Sequence, residues 1–340
     1  MDMTQARDAI ITKAWYEGAL WLYLLWPLSL IYQFVIYIRC HFYRQGIFKT
    51  QRVDVPVIVV GNITVGGTGK SPLVCHLVKS LRNKGFNPGI VSRGYGAKLA
   101  RNQVREVFAH SLPSEVGDEP LMLKKKLGCQ VFVSPSRVLA AKAIQKAGCD
   151  IIISDDGLQH YALYRDVEVC VFDGQRKWGN GHLLPMGPLR EPISRLKSIP
   201  YLVVNGASNA GSYGQSGLNQ KEFSMTLHAE SLISMNTKST KPLQDFFQKT
   251  VHAVAAIGHP ERFFNTLQEA GIQLESHAFG DHHAYKQSDF QFDQALPIIM
   301  TEKDAVKCES FELKDAWFLP VSAKLNGDLA GQIIKDVGLV

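Results

Sequence analysis

The feature that most constrains the fold is a run of small residues between an apolar strand pattern and a helix pattern. Residues 55–60 (VPVIVV) predict a buried parallel strand, and residues 61–71 read GNITVGGTGKS. Apolar residues at helical spacing then continue to Leu81. A strand, a glycine-rich loop, Gly-Lys-Ser and a helix form the order that a phosphate-binding loop requires. The sequence therefore predicts an α/β fold with a P-loop NTPase-like parallel sheet core.

Each residue type in this loop has a chemical reason to be there. Small residues let backbone N–H groups close around phosphate oxygens at a helix N-terminus. Lys70 would neutralise the β- and γ-phosphates of ATP, and the Ser71 hydroxyl would reach Mg²⁺. Thr64 departs from the strict motif, which has Gly there, and a glycine-rich turn without ligand is the alternative interpretation. The residues expected to bind the nucleotide are Thr64, Val65, Gly66, Gly67, Thr68, Gly69, Lys70 and Ser71.

A second apolar strand pattern, Ile151–Ile153, ends in the acidic stretch SDDGLQH at residues 154–160. Carboxylates at the C-terminal end of a parallel strand face the crevice in which α/β sheets bind ligands. Asp155 or Asp156 is therefore predicted to lie near Mg²⁺ or its waters. An ordinary Asp-Asp-Gly turn is the competing interpretation.

Three shorter motifs carry polar residues next to predicted elements. GDEP at residues 117–120 precedes a helix pattern, and by itself it fits a helix cap as well as a catalytic site. SRGYG at residues 92–96 follows a strand end, where Arg93 fits either a phosphate contact or a surface loop. GPLREP at residues 187–192 forms a rigid loop in which Arg190 suits bidentate phosphate contact.

The segment Ala19–Ile38 contains twenty residues without a charge, which matches the hydrocarbon thickness of a bilayer. Arg39 and Arg44 follow it, which would keep this flank on the cytoplasmic side. Pro27 is expected to kink a helix here. A membrane-associated helix is favoured over a buried core helix, and over a cleaved signal peptide because no A-x-A site follows. A span and a helix lying in one leaflet stay open.

Composition sets broad limits on the remaining possibilities. With 340 residues, the chain is long enough for two α/β units, and its formal charge of +6 fits an anionic partner. The six cysteines form no CxxC pair, which indicates neither a zinc site nor a disulfide framework. Scattered single cysteines are typical of a reducing cytosol.

The second half of the chain predicts a further α/β unit. Small polar residues after Asn205 indicate a linker, and a new strand pattern begins at Val251. His282 and His283 beside Asp281 fit metal binding, acid–base chemistry or simple solvation, although adjacent histidines on a loop chelate one ion poorly. The predicted boundaries are 1–48 for the membrane-associated helix, 49–205 for the P-loop core, 206–250 for the linker and 251–340 for the C-terminal α/β domain.

Taken together, the motifs resemble the tetraacyldisaccharide 4'-kinase family of lipid A biosynthesis. The stretches that carry the resemblance span most of the chain in consistent order. They are residues 61–72 (GNITVGGTGKSP), 92–96 (SRGYG), 117–120 (GDEP), 154–160 (SDDGLQH), 187–191 (GPLRE), 280–285 (GDHHAY) and 301–307 (TEKDAVK). Thr64 is what the family's loop looks like, whereas Gly280 stands where the family often has Pro.

The resemblance implies transfer of the ATP γ-phosphate to the 4'-hydroxyl of a tetraacyldisaccharide 1-phosphate. It further implies two α/β/α domains across a cleft and an N-terminal helix at the inner membrane, with the catalytic domains on the cytoplasmic face. Asp118 matches the family's catalytic base and His282 its partner, with Lys70 as the third catalytic residue. Contacts with headgroup or nucleotide are implied for Tyr95, Arg137, Gln159, His160 and Arg190. Candidate Mg²⁺ ligands are Ser71, Asp155, Asp156 and Glu191.

Two other functions are weighed against this one. A P-loop GTPase or metallochaperone-type switch is suggested by Ser322-Ala323-Lys324, but N-K-x-D is absent and residues 301–304 place the lysine one position late. A membrane scaffold with a degenerate nucleotide site is disfavoured by the intact Gly69-Lys70-Ser71. The expected partners are a lipid substrate and a membrane surface; no nucleic acid is expected, and the motifs do not indicate a protein partner.

Overall fold

The computed structural model describes residues 3–206, 220–229 and 231–339, which form a larger and a smaller α/β domain. The strands are β1 (Val57–Gly61), β2 (Pro88–Ser92), β3 (Arg105–Glu106), β4 (Val131–Val133), β5 (Ile151–Asp155), β6 (Val167–Asp173), β7 (Tyr201–Asn205), β8 (Lys221–His228), β9 (Ser231–Ser234), β10 (Thr240–Pro242), β11 (Thr250–Ala255), β12 (Gln273–Ala278), β13 (Ile298–Thr301), β14 (Ala316–Leu319) and β15 (Ser322–Leu325). The α-helices are α1 (Met3–Glu17), α2 (Trp26–Arg44), α3 (Lys70–Asn83), α4 (Pro113–Val116), α5 (Asp118–Leu127), α6 (Arg137–Lys146), α7 (Pro260–Glu269), α8 (Glu302–Ala305) and α9 (Leu329–Asp336).

The larger sheet, within the described residues, has nine strands in the order β15-β8-β7-β6-β1-β5-β2-β4-β3. Its central strands are parallel, and only the edge strands β15 and β3 run antiparallel to their neighbours. Strands such as β1 and β5 are buried along their whole length because helices cover both faces of the sheet. This architecture confirms the predicted fold class.

Both faces of the larger sheet are sealed by apolar side chains. On one face, Leu73 and Leu77 of α3, Leu121 of α5 and Ile333 of α9 pack in a single cluster with the strands. On the other face, α6 contributes Ile144 to a second cluster. The P-loop helix α3 is thus fixed against β1 by buried apolar contacts, which holds its N-terminus at the sheet edge.

The smaller sheet has six strands in the order β10-β9-β14-β13-β11-β12, again within the described residues. The four strands β14, β13, β11 and β12 are parallel to one another. Phe263 and Leu267 of α7 pack on one face, and Tyr285 and Phe290 pack on the other. This sheet and the side chains packed on its two faces form the smaller α/β domain.

The domain boundaries differ from the sequence-based expectation in two places. Part of the expected linker 206–250 is regular structure, since β8 belongs to the larger sheet and β9 and β10 to the smaller one. Residues 207–219 of that stretch lie outside the described residues. Further along, β15 and α9 return to the larger domain, although 251–340 was expected to form one unit. β15 pairs with β8 at the edge of the larger sheet and α9 packs on one of its faces, and local sequence encodes neither contact.

The N-terminal apolar segment forms a 3₁₀ helix, Leu20–Leu25, followed directly by α2. Pro27 lies in the first turn of α2 and does not kink it, because a residue without an N–H and with a fixed φ suits that position. Among the described residues, Leu20–Arg44 alone is long and apolar enough to cross a membrane, by length and composition. Most of its surface is exposed.

Polar side chains of α2 attach it to the larger domain. The Ser29 hydroxyl donates to the carbonyl of Leu183 (3.1 Å) and accepts from the N–H of Met186 (3.0 Å). Tyr32 donates to the carbonyl of Arg190 at 3.2 Å. The segment that α2 holds is thus the same loop that carries Arg190.

Candidate active site

The topology brings the phosphate-binding loop and the acidic stretch to one edge of the larger sheet. Strands β1 and β5 are parallel neighbours, with Val60 opposite Asp155. Their carboxyl ends therefore meet, and the loop after β1 faces the carboxylates after β5. These residues line a cleft of about 960 Å³ whose opposite wall includes Gly258, Asp281 and His282 of the smaller domain.

The P-loop has the backbone conformation that its glycines permit. Gly66 and Gly69 have φ values of +96° and +97°, in the left-handed region where residues with a side chain are strained. A Cβ at Gly69 would also collide with the side chain of Asn205, whose Nδ2 donates to the carbonyl of Thr68 at 3.0 Å. Asn205, at the end of β7, therefore fixes the position of the loop backbone at Thr68.

Six of the eight residues predicted to bind the nucleotide line the cleft, and the other two hold the loop in place. Those that line it are Gly66, Gly67, Thr68, Gly69, Lys70 and Ser71. Thr64 is buried and forms a bridge to Leu189, and the Val65 N–H donates to the carbonyl of Pro188 (2.9 Å). Thr64 does not have a positive φ, so its position does not require glycine.

Lys70 begins α3 and its ammonium points at polar partners in the cleft. Its Nζ lies 3.3 Å from Oδ1 of Asn62 and 3.6 Å from Oδ1 of Asp156. Asp156 also accepts two bonds from Arg190, at 3.0 and 3.2 Å. Although burial acts in the opposite direction, Lys70 and Arg190 lower the pKa of Asp156 to about 2. Asp156 is thus a permanent anion between two cations.

Asp155 is the more unusual of the two carboxylates. It is buried, and its Oδ1 has no hydrogen-bond partner among the described residues. Burial, with the nearby charges of Glu119 and Asp156, raises the pKa of Asp155 to about 7. An unsatisfied buried carboxylate oxygen is costly, and oxygen is the ligand that Mg²⁺ prefers. The donor set therefore fits a magnesium ion.

Asp118 and His282 meet across the cleft. Asp118 is the first residue of α5, and His282 lies in the loop after β12, with Nδ1 at 2.9 Å from Oδ2 and 3.1 Å from Oδ1. Burial alone would raise the pKa of Asp118, but the hydrogen bond with His282 and the charge of Lys303 lower it overall. Asp118 therefore remains ionised at neutral pH.

Lys303, at the start of α8, joins this pair to neighbouring carboxylates. Its Nζ lies 2.9 Å from Asp281, 3.4 Å from Glu119 and 3.8 Å from Asp118. Burial works against its charge, but Glu119 and Asp118 outweigh it and raise the pKa of Lys303. The ammonium also lies 3.5 Å from Nε2 of His282. Since a charged ammonium can only donate, Nε2 is the acceptor and Nδ1–H of His282 points at Asp118.

The residues predicted to contact headgroup or nucleotide also line the cleft. They are Tyr95, Arg137, Gln159, His160 and Arg190. The exposed ring of Tyr95 lies 4.6 Å from the His282 imidazole, measured between centroids. Arg137 is buried and donates to the carbonyl of Asp155 at 3.1 Å. Burial and the charge of Arg137 lower the pKa of His160 to about 3, so His160 is neutral.

Glu191 does not line the cleft among the described residues. It is buried, and its carboxylate accepts from the hydroxyl of Tyr161 and from Nε2 of Gln159 at 3.3 Å, with Arg195 at 3.7 Å. Three of the four predicted Mg²⁺ ligands, Ser71, Asp155 and Asp156, therefore line the cleft together, whereas Glu191 does not.

Sequence reasoning did not assign roles to Lys303, Glu119 and Asn205. Lys303 and Asn205 each lie at or just after the carboxyl end of a parallel strand, β13 and β7. Their position at or just after a strand end could have indicated a role in the site, because polar residues at the carboxyl ends of parallel strands face the ligand crevice. Glu119 gave no such signal, since its contact with Lys303 depends on how the two domains meet.

Comparison with known proteins identifies similar sequences over nearly the whole chain. A family model described as Tetraacyldisaccharide-1-P 4'-kinase (LpxK) matches residues 21–337. The Tetraacyldisaccharide 4'-kinase of Methylobacillus flagellatus is 43% identical over 98% of this chain and 97% of its own length. That of Nitrosococcus oceani is 41% identical over 96% and 94%.

A solved structure has the same fold. LpxK from Aquifex aeolicus, determined in complex with ATP, superposes with a TM-score of 0.78 at 27% identity, covering 94% of this chain and 99% of that one. The family model, the relatives and the structural likeness each extend over nearly the whole sequence. The chain belongs to the tetraacyldisaccharide-1-phosphate 4'-kinase family.

Proposed function

We propose that this chain transfers the γ-phosphate of ATP to the 4'-hydroxyl of a tetraacyldisaccharide 1-phosphate, a step of lipid A biosynthesis. The observation that carries the proposal is that Lys70 of the P-loop and the Asp118–His282 pair line the same cleft. A hydroxyl nucleophile needs positioning, charge neutralisation and one group to take its proton. The cleft contains a group for each of these tasks.

In the proposed reaction, the 4'-oxygen forms a bond to the γ-phosphorus, the bond from that phosphorus to the β,γ-bridging oxygen breaks, and ADP leaves. Lys70 neutralises charge on the β- and γ-phosphates. Asp118 takes the hydroxyl proton, and Nδ1–H of His282 holds the carboxylate in position. Because phosphoryl transfer is largely dissociative, a base of low pKa suffices: the proton leaves late, when the oxygen is already bonding to phosphorus.

Asp155, Asp156 and Ser71 would hold Mg²⁺, which supplies charge neutralisation and orientation of the phosphates. The unpartnered Oδ1 of Asp155 supports this assignment, whereas a direct role for Glu191 stays a prediction. Arg190 and Tyr95 are proposed to contact the acceptor headgroup. Arg137 and His160 are proposed to position neighbouring groups and not to contact the headgroup, since Arg137 is buried and donates to the Asp155 carbonyl.

We further propose that α2 lies on the inner membrane with the catalytic domains on its cytoplasmic face. One side of α2 is attached to the larger domain through Ser29, Tyr32 and Arg39, which donates to the carbonyl of Gln159 at 3.0 Å. These contacts extend over about 15 Å of helix at 1.5 Å per residue. A spanning α2 would pull that part of the domain into the bilayer, so a helix lying in one leaflet is favoured.

The remaining side of α2 offers apolar surface to the lipid. The exposed apolar and aromatic side chains of α2 and the preceding 3₁₀ helix include Leu20, Leu24, Leu28, Ile31, Phe34, Val35 and Tyr37. Tyr32 and Arg39 line the catalytic cleft as well. A lipid substrate could therefore present its headgroup to the cleft while its acyl chains stay in the bilayer.

The test is incubation of the full-length protein with ATP, Mg²⁺ and a tetraacyldisaccharide 1-phosphate in detergent micelles, followed by mass analysis. One added phosphate is expected, located on the 4'-oxygen by NMR. An acceptor lacking the 4'-hydroxyl serves as the control. ATP hydrolysis without phosphorylated lipid, or equal turnover with GTP and no lipid, would contradict the proposal.

The GTPase alternative has little structural support. Ser322, Ala323 and Lys324, which suggested a guanine-contacting loop, are part of strand β15. This strand pairs with β8 at the edge of the larger sheet, and its residues are not among those that line the cleft.

A further inference from the structure

A cluster of three metal-binding side chains lies in the smaller domain, outside the catalytic cleft. His252 is on β11, and Glu275 is directly opposite it on the neighbouring strand β12. His277 follows two residues later on β12 and so points to the same face of the sheet. The register of two adjacent strands therefore brings one carboxylate and two imidazoles together at the edge of this sheet.

The hydrogen bonds of His252 fix which of its nitrogens can bind an ion. Its Nε2 lies 2.9 Å from the carbonyl of Gln294, which only accepts, so Nε2 carries the proton. When the ring is neutral, its Nδ1 is an acceptor, and Nδ1 faces Oε2 of Glu275 at 3.2 Å. Two acceptors at this distance repel each other unless a proton or a metal cation lies between them.

The third group completes the arrangement. Nε2 of His277 lies 3.1 Å from Nδ1 of His252, and the three candidate ligand atoms all lie within 4.8 Å of one another. Zinc binds imidazole nitrogen at about 2.0–2.1 Å in a tetrahedron, which places ligand atoms about 3.3–3.4 Å apart. The two distances to Nδ1 are close to that value.

The surroundings of the cluster match those of known metal sites. A ligating histidine usually donates its other N–H to a carbonyl or carboxylate, as His252 does to Gln294. The ring of Phe292 packs on both imidazoles, with centroids 3.9 Å from His252 and 4.3 Å from His277. His252 is buried, whereas the Glu275 side chain is 40% exposed, which leaves a path for an ion and a water ligand.

We propose that His252, Glu275 and His277 bind one Zn²⁺ ion, with water as the fourth ligand. The two imidazoles favour zinc over Mg²⁺, which prefers oxygen ligands. The ion would join β11 to the edge strand β12, which leads into the loop carrying His282. It is separate from the magnesium of the kinase reaction, so the proposal does not depend on that activity.

The experiment uses the full-length protein after removal of any affinity tag and treatment with a chelator. Zinc is titrated against a coloured competing chelator, and the melting temperature is measured with and without zinc. We expect one ion per chain and a higher melting temperature with zinc. Loss of an outer-shell partner weakens metal sites by about 10–100-fold, so Glu275→Gln and His277→Gln should each weaken zinc binding at least that much.

Matched controls distinguish this site from other histidines and carboxylates. His228→Gln and Glu269→Gln remove exposed side chains outside the cluster, and they should leave zinc affinity unchanged. Because both test residues are only half-buried, the variants should fold, and circular dichroism verifies it. Cobalt in place of zinc should give the visible absorption of a tetrahedral site. Zinc binding that is absent, or equal in the Glu275→Gln and control variants, would overturn the proposal.

Discussion

Oδ2 of Asp118 and Nδ1 of His282 lie 2.9 Å apart, although the residues are 164 positions apart in the chain. Asp118 begins α5 in the larger domain, and His282 belongs to the smaller one. Lys303 contacts both side chains, at 3.8 Å from the carboxylate and 3.5 Å from the imidazole. The pair therefore exists only when the two domains meet across the cleft in this arrangement.

Removing either member of the pair should lower the rate of phosphate transfer. We expect Asp118→Ala or His282→Ala to lower kcat by about 10²–10⁴-fold, the usual contribution of general-base catalysis, with little change in the KM for ATP. The double variant should be scarcely worse than the worse single one, because the two side chains act as a unit. Steady-state kinetics on the three variants measure this.

A helix cap is the competing role for Asp118, since its Oδ1 accepts from the N–H of Glu119 at 2.9 Å. Loss of a cap lowers stability by about 1 kcal/mol and leaves kcat nearly unchanged. Glu115→Ala is the control, because Glu115 lies in the first turn of α4 and does not line the cleft. Fully multiplicative losses in the double variant would contradict the paired role.

The Lys70→Ala variant should fold and lose phosphate transfer. The ammonium of Lys70 is the cation placed to neutralise the β- and γ-phosphates as the transition state forms. The control is Lys79→Ala, which removes an exposed lysine from the same helix and should keep normal activity. Near-normal transfer by a folded Lys70→Ala variant would remove the P-loop assignment. Circular dichroism and the product assay provide the two measurements.

Asp155 should make the free protein less stable as pH rises. Its pKa is raised from 3.8 to about 7, so between these values the folded state holds a proton that the unfolded state has lost. The free energy of unfolding therefore falls as pH rises through this window. Above about pH 7 the full loss of stability from ionising the buried carboxyl has been reached. Asp155→Asn replaces the carboxyl with a neutral amide and so removes this pH-dependent loss of stability.

The Asp155→Asn variant is thus expected to melt at a higher temperature than the parent at pH 8, without Mg²⁺ or nucleotide. At pH 5 the difference should shrink, because the parent carboxyl is then mostly protonated. Activity should be lost, since the neutral amide is a poor magnesium ligand. Thermal melts at several pH values measure the effect, and a difference that is independent of pH would contradict it.

Charges on the exposed face of α2 should release the protein from membranes. Ile31 and Phe34 are 61% and 63% exposed, so Ile31→Glu with Phe34→Glu should weaken vesicle binding without lowering the melting temperature. Burying apolar area drives such binding, and a carboxylate opposes it. Phe247→Glu, at a 58% exposed aromatic of the smaller domain, is the control. Unchanged flotation of the α2 variant with vesicles would assign anchoring to another surface.

Features of the fold and site that depend on residues close together in the chain can be predicted from the sequence. The strand, glycine-rich loop and helix of residues 55–81 are continuous in the chain, so their pattern predicts the P-loop. The same pattern also predicts the six loop residues that line the cleft, Gly66 to Ser71. In contrast, Pro27 was misread, because its effect depends on whether a helix begins before or after it, and α2 begins one residue earlier.

Features that depend on contacts between residues far apart in the chain are set by the tertiary structure. The contacts of Lys303, the burial of Glu191 away from the cleft and the return of β15 to the larger sheet all arise from packing between distant segments. The same holds for His252 and His277, whose spacing of 25 residues matches no metal-binding motif. Strand register brings them together, and a pattern of neighbouring residues carries no information on the register of two strands.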